Sequence, residues 1–159
     1  MNNEINQQFY DTKAILQNIN KYLALEYAIW TKDKAKIKFT KELPSFSIIN
    51  NFIYWCNLGI NIGSEQNKIR PVLIAKTQRE SSMCTVLPLT SERINDTRWY
   101  HIDLENKSST VLIEQLRNIS KLRILTPFRI KGKLVKITLN DWNRINSAMQ
   151  KYYCMTKWQ

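Results

Sequence analysis

Arg70 stands where chemistry could be done. It joins a polar loop, Gly63-Ser64-Glu65-Gln66-Asn67-Lys68-Ile69, to an apolar strand, Val72-Leu73-Ile74-Ala75, with Pro71 between. Gly63 supplies a turn and the polar residues keep the loop at the surface, so the arginine is held by a rigid element while its guanidinium faces the loop side. A planar, permanently charged fork in that place suits a phosphate. Read locally, the same residues also describe a solvated hairpin loop with one surface arginine. Thr90 and Ser91 follow the apolar run 84–89 and could orient a phosphate with a hydroxyl. Together they fit phosphoryl transfer within RNA, in which a 2′-hydroxyl attacks its neighbouring phosphorus. That reaction needs no metal; it needs a cation against the charged transition state, a hydroxyl or amide to orient the phosphate, and proton transfers at the attacking and leaving oxygens.

Other chemistries are poorly provided for. There is one histidine, His101, no nucleophile elbow, no P-loop and no carboxylate cluster for two metals. Glu65, Glu92 and Glu114 are isolated in sequence, where a solvated or salt-bridged surface acid is the ordinary role. Cys56, Cys84 and Cys154 are odd in number and widely spaced, which gives neither a disulfide framework nor a zinc signature. No metal and no cofactor are expected. The polar start Met1-Asn2-Asn3-Glu4 lacks the pattern of a signal peptide, and no window approaches the apolar length that spans a bilayer, so the expectation is a cytoplasmic protein with no membrane partner.

The elements that must carry these residues divide the chain near position 45. Residues 4–30 read as one helix, with Phe9, Leu16, Ile19, Leu23, Tyr27 and Trp30 at spacings compatible with a 3.6-residue period. Such a stripe calls for burial against the main domain or a second copy. Residues 31–44, with Lys32, Lys34, Lys36, Lys38, Lys41 and a closing Pro44, read as a basic linker. From 46 onward short runs rich in Ile, Val, Leu and aromatics alternate with polar turns, placing strands at 52–58, 71–76, 84–89, 99–104, 109–116 and 123–130. Close spacing without an intervening long helix implies a mainly antiparallel sheet in an α+β fold, closed into a small barrel. Pro88 inside one run suggests an edge, a bulge or an early end. Thr138 and Asp141 match a capping box that opens a last helix, with Trp142, Ile145 and Met149 on one face and Trp142 as a core anchor.

Charge is unevenly spread. The net charge is +11; residues 1–45 hold seven basic and five acidic groups, residues 46–159 seventeen and eight, so the second part carries +9. Arg117, Lys121, Arg123, Arg129, Lys131, Lys133 and Lys136 form a run with no acidic residue between 116 and 140. A polyanion is the natural partner, with nucleic acid ahead of membrane because no amphipathic basic helix accompanies the run.

Three motifs in order, Gly63-Ser64-Glu65-Gln66 with Ile69-Arg70-Pro71-Val72, then Thr85-Val86-Leu87-Pro88-Leu89-Thr90-Ser91, then Ser109-Thr110-Val111-Leu112-Ile113-Glu114-Gln115-Leu116-Arg117, resemble the MazF/PemK toxin family of sequence-specific endoribonucleases. The resemblance covers about residues 50–153 and leaves 1–45 outside. It implies an SH3-like barrel of five to seven strands with helices at its edges, acting as a homodimer. It further implies metal-free cleavage of single-stranded RNA to a 2′,3′-cyclic phosphate and a 5′-hydroxyl, and a cognate antitoxin as partner. On that mapping Arg70 stabilises the transition state and can protonate the leaving 5′-oxygen, since its high pKa keeps it charged and so unable to serve readily as a base. Thr90, with Ser91 as fallback, holds the phosphate and the attacking hydroxyl. Glu65, the loop's only carboxylate, is the candidate base. Bases of unstacked RNA would be read by polar and aromatic side chains: Ser64, Gln66, Asn67 and Lys68 in the first loop, Arg93 within 91–98, and His101, Gln115 and Arg117. Asn67-Lys68 departs from the family, where many members have glycine. Two alternatives stay open: a related fold that poisons DNA gyrase by binding alone, and a basic RNA-binding module without activity. The N-terminal segment could dimerise, dock, or cover the RNA groove and moderate toxicity.

Overall fold

The computed structural model describes residues 2–154, so Met1 and residues 155–159, the outer ends of the two predicted segments, lie outside it. The chain divides into two compact units, Met1–Lys41 and Glu42–Gln159.

In the first unit, two helices replace the single predicted one: α1 (Asn2–Gln17) and α2 (Lys21–Phe39). Asn20 makes the break, its side chain accepting the Tyr22 backbone N–H as the N-cap of α2, while the Asn18 side chain donates to the Ala14 carbonyl. Asparagine side chains that compete for backbone groups end a helix without glycine or proline. The expected basic linker is largely helical too, since α2 runs on through Lys32, Lys34, Lys36 and Lys38. Lysine is a good helix former, and the segment holds no residue that would stop it before Phe39. Neither helix has a fully buried residue; along the predicted stripe Leu16 and Trp30 are half-buried and the other residues exposed.

Among its described residues the second unit has nine strands: β1 (Ile53–Asn57), β2 (Ile69–Thr77), β3 (Met83–Thr90), β4 (His101–Asp103), β5 (Thr110–Leu112), β6 (Arg117–Ser120), β7 (Ile124–Pro127), β8 (Arg129–Ile130) and β9 (Lys133–Leu134). The first seven form one antiparallel sheet in the order β4-β5-β3-β2-β1-β7, with β6 also on β3; β8 and β9 make a separate ribbon. This is the α+β arrangement expected, with the sheet open rather than closed into a barrel. The predicted strand over 109–116 ends early in a 3-10 turn, Ile113–Gln115, and the one over 123–130 is split into β7 and β8 after a second 3-10 turn, Lys121–Arg123.

Alternation along β2 and β3 gives the sheet two apolar faces. Leu73, Leu87 and Leu89 join Ile145 and Ala148 on one side, whereas Val72, Ile74, Cys84 and Val86 join Tyr54 and Cys56 on the other. A strand buried on both faces explains why β3 reads as a continuous apolar run. Pro88 is neither at an edge nor at an end. It falls between the part of β3 paired to β6, through Val86, and the part paired to β5, from Leu89, so no neighbour on that side needs its missing N–H.

Helix α3 (Leu139–Tyr153) opens with the predicted capping box: the Thr138 hydroxyl accepts from the Asp141 amide and the Asp141 carboxylate from the Thr138 amide. Asp141, Ile145 and Ala148 form its buried side. Trp142, expected as a core anchor, lies one position off that stripe and is 43% exposed.

Candidate functional site

Arg70 is the second residue of β2 and Thr90 the last of β3. The ladder pairs Val72 with Pro88, Leu73 with Leu87 and Ile74 with Val86; carried two residues further, that register sets Arg70 opposite Thr90. Residues opposite one another in an antiparallel pair point to the same face. Arg70 and Thr90 are therefore brought to one end and one face of the central hairpin by strands that the core fixes. Thr90 is only 5% exposed, and its Oγ1 accepts the Glu92 amide at 3.2 Å, which starts the next loop. Ser91 is exposed beside it.

Loop 59–68, which leads into Arg70, is ordered by its own polar groups. Lys68 N–H donates to the Gly59 carbonyl at 2.6 Å and its carbonyl accepts from Leu58 at 2.9 Å, closing the base. Inside, the Asn61 amide donates to Asn67 Oδ1 at 2.7 Å and the Asn61 side chain to the Gln66 carbonyl at 2.8 Å. Arg70 Nε donates to the Asn67 carbonyl at 2.9 Å, which fixes the guanidinium plane and leaves its terminal nitrogens for a ligand. Lys68 has φ of 66°, the left-handed backbone that glycine adopts without strain and a side-chain-bearing residue rarely takes. Ser64 and Glu65 are exposed near the loop's tip.

Gln115 ties that loop to the sheet. Its Oε1 accepts from the Gln66 amide at 3.1 Å and from Arg117 Nη2 at 3.0 Å, and its Nε2 donates to the Ser64 carbonyl at 3.3 Å. Four predicted RNA-reading positions, Ser64, Gln66, Gln115 and Arg117, thus form one connected cluster. Asn67 and Lys68 adjoin it through the loop. Arg93 lies in the other loop, 91–98, where its Nη1 sits 3.6 Å from Asp96.

His101 is placed differently from expectation. Its side chain is 0% exposed, with Nδ1 3.1 Å from Asp96 Oδ2 and Nε2 2.9 Å from Glu114 Oε1. A fully enclosed ring cannot read a base directly; it can only hold its two neighbours. Asp96 is held below the usual carboxylate range, first by the Arg98 backbone N–H and also by His101. The Nδ1 approach is close enough for an ion pair but too poorly aligned to count as a hydrogen bond.

The basic run is likewise not all surface. Lys121 is buried, its Nζ donating to the Gln78 carbonyl at 2.7 Å, and Arg123 Nη1 donates to the Asn57 and Leu58 carbonyls at 3.2 and 3.0 Å. Arg123, which spacing did not single out, therefore anchors the start of the loop that carries Arg70. Among the described residues no group of three or more His, Cys, Asp and Glu side chains could hold a metal ion, and no helix is long and apolar enough to cross a membrane.

Residues 51–153 match the family of PemK-like, MazF-like toxins of type II toxin–antitoxin systems. Among solved structures, MazF from Deinococcus radiodurans is similar at 16% identity with a TM-score of 0.57, covering 70% of this chain and 100% of that one. An endoribonuclease in complex with its cognate antitoxin from a mycobacterial species is 17% identical with a TM-score of 0.52, covering 71% of this chain and 100% of that one. A MazE–MazF complex from D. radiodurans is similar at 16% identity and a TM-score of 0.53, covering 70% and 100%. At these identities the likeness is one of fold. No curated protein matches the chain.

Proposed function

This chain belongs to the PemK-like, MazF-like toxin family of type II toxin–antitoxin systems, whose members are known as endoribonucleases, and from that premise we propose that it cuts single-stranded RNA at specific sequences without a metal. The observation that supports the reading is the β2–β3 ladder, whose last pair is Val72 with Pro88 and whose continuation leads toward Arg70 and Thr90 at the same end of the two strands.

In the proposed reaction the ribose 2′-hydroxyl loses its proton as its oxygen bonds to the adjacent phosphorus. The P–O5′ bond breaks, and the leaving oxygen takes up a proton. The products are a 2′,3′-cyclic phosphate and a 5′-hydroxyl. Arg70, with its plane set by the Asn67 carbonyl, places a fixed cation against charge that grows on the phosphoryl oxygens. Thr90, held by the strand and by the Glu92 amide, orients the phosphate, with Ser91 as its exposed alternate. Glu65 is the candidate base, from an exposed position on the loop. The Ser64–Gln66–Gln115–Arg117 cluster, Asn67, Lys68 and Arg93 line up as contacts to bases and phosphates. A cognate antitoxin, a homodimer and a cytoplasmic setting complete the reading; complexes with an antitoxin are seen for the similar structures.

Purified protein should cut an unstructured RNA in EDTA and leave 5′-hydroxyl ends, and Arg70→Ala should abolish most cutting while folding is kept. Cutting that requires a divalent ion would sink the mechanism. Salt-sensitive binding with intact RNA would favour the inactive binding module instead.

A further inference from the structure

His101 is buried at a junction that the proposed chemistry does not use. Its ring contacts two carboxylates from two separate segments: Asp96, at the centre of loop 91–98, and Glu114, in the 3-10 turn that also holds Gln115. Loop 91–98 is folded around Asp96, which accepts the Arg98 amide at 3.0 Å, lies 3.6 Å from Arg93 and 3.8 Å from Arg98, and donates its own amide to the Arg93 carbonyl at 3.1 Å. That loop begins beside Thr90. On the other side, Gln115, next to Glu114 in the chain, holds Gln66 and Ser64 of the loop that ends at Arg70. Glu114 has its second oxygen, Oε2, buried without a hydrogen-bond partner, which leaves His101 as the group that offsets the burial of this carboxylate.

We propose that His101 is a positioning residue, a buried clasp that links loop 91–98 through Asp96 to the Glu114–Gln115 turn and so to loop 59–68, setting Thr90 and Arg70 jointly rather than each through its own strand. The consequence for RNA cleavage rests on the functional reading above; the mechanical link between the loops does not.

The test is a cycle of Asp96→Asn, Glu114→Gln and the double variant, with His101→Gln alongside, followed by amide hydrogen exchange resolved for 59–68 and 91–98 and by kcat and KM on a short RNA. Each single variant is expected to speed exchange in both loops, and the double variant to be no worse than the worse single, because both act through one ring. In the full-length protein kcat/KM should fall on the order of tenfold to a hundredfold, mostly in kcat, at an unchanged unfolding midpoint. The proposal is overturned if Asp96→Asn loosens only 91–98 while Glu114→Gln loosens only 59–68, or if the two effects add. The cycle decides even where His101→Gln fails to fold. Should the wild-type protein cut no RNA, the functional reading falls while the exchange cycle still judges the clasp; should it cut while the loops loosen separately, the clasp falls alone.

Discussion

At the scale of single residues, the candidate site depends on how little freedom its polar groups retain. Arg70 is held by one bond from Nε, and that bond uses the one guanidinium nitrogen that a lysine cannot imitate in place. Arg70→Lys keeps the charge but loses both the plane and its tether. Its kcat is expected to drop on the order of 10²–10³-fold, the range for removing a fixed donor from a developing charge, with a denaturant midpoint indistinguishable from wild type. A kcat within threefold of wild type would show that charge alone suffices. The strand-end positions of Arg70 and Thr90 were legible in the sequence, because each adjoins a polar loop. The arrangement around His101 was not. Its partners lie five and thirteen positions away on other segments, and neither a period nor a motif connects them.

At the scale of elements, the N-terminus of α3 shows local signals and tertiary contacts working together. The capping box was readable as Thr138 and Asp141, three residues apart. What could not be read is that the turn between β4 and β5 reaches the same helix end: the Glu105 amide donates to Asp141 Oδ1 at 3.0 Å, and its carboxylate accepts from the Thr138 hydroxyl and, at 2.6 Å, from Asn140 Nδ2. Those bonds, the Thr138 one first, hold the Glu105 carboxyl below its usual range. A carboxyl with a lowered folded pKa stabilises the fold above its unfolded value, about 4.3, and that contribution disappears as pH falls through the lower folded value. Thermal unfolding of the wild type should therefore fall more steeply with acid in that window than unfolding of Glu105→Gln, and the two curves should converge once both values are passed. Parallel curves throughout would show the bonds to be without consequence. Strand β6 escaped sequence reading for a related reason. Its residues Arg117, Asn118, Ile119 and Ser120 bury only Ile119, so it exists because β3 offers an unpaired edge and not because its own pattern demands a strand.

At the scale of the whole molecule, the two units differ in what holds them. Both apolar clusters belong to the second unit, whereas α1 and α2 hold no fully buried residue. The sequence was sound as to helical content but not as to one continuous stripe, because the break at Asn18–Asn20 divides the predicted helix in two. The cysteines report on the same packing. Cys56 and Cys84 are buried, and burial pushes the Cys84 thiol up to about 11, while Cys154 is exposed. A thiol reagent at pH 8 should therefore modify one cysteine rapidly in the native protein and the other two only at the rate of unfolding; mass spectrometry of the labelled peptides checks this, and rapid labelling of Cys84 would contradict the packing of β3. The direction of the β2–β3 hairpin has a practical outcome as well. Arg70 lies near the start of one strand and Thr90 ends the other, so the turn that joins them, with exposed Arg79 and Glu80, lies at the far end of the ladder. The seven residue steps from Arg70 to Thr77 amount to about 23 Å at the usual rise. An epitope, a fluorophore or a surface anchor spliced between Arg79 and Glu80 would hang from the same rigid rods as the candidate site while standing clear of it, a handle by which the protein can be immobilised or tracked with its working end free.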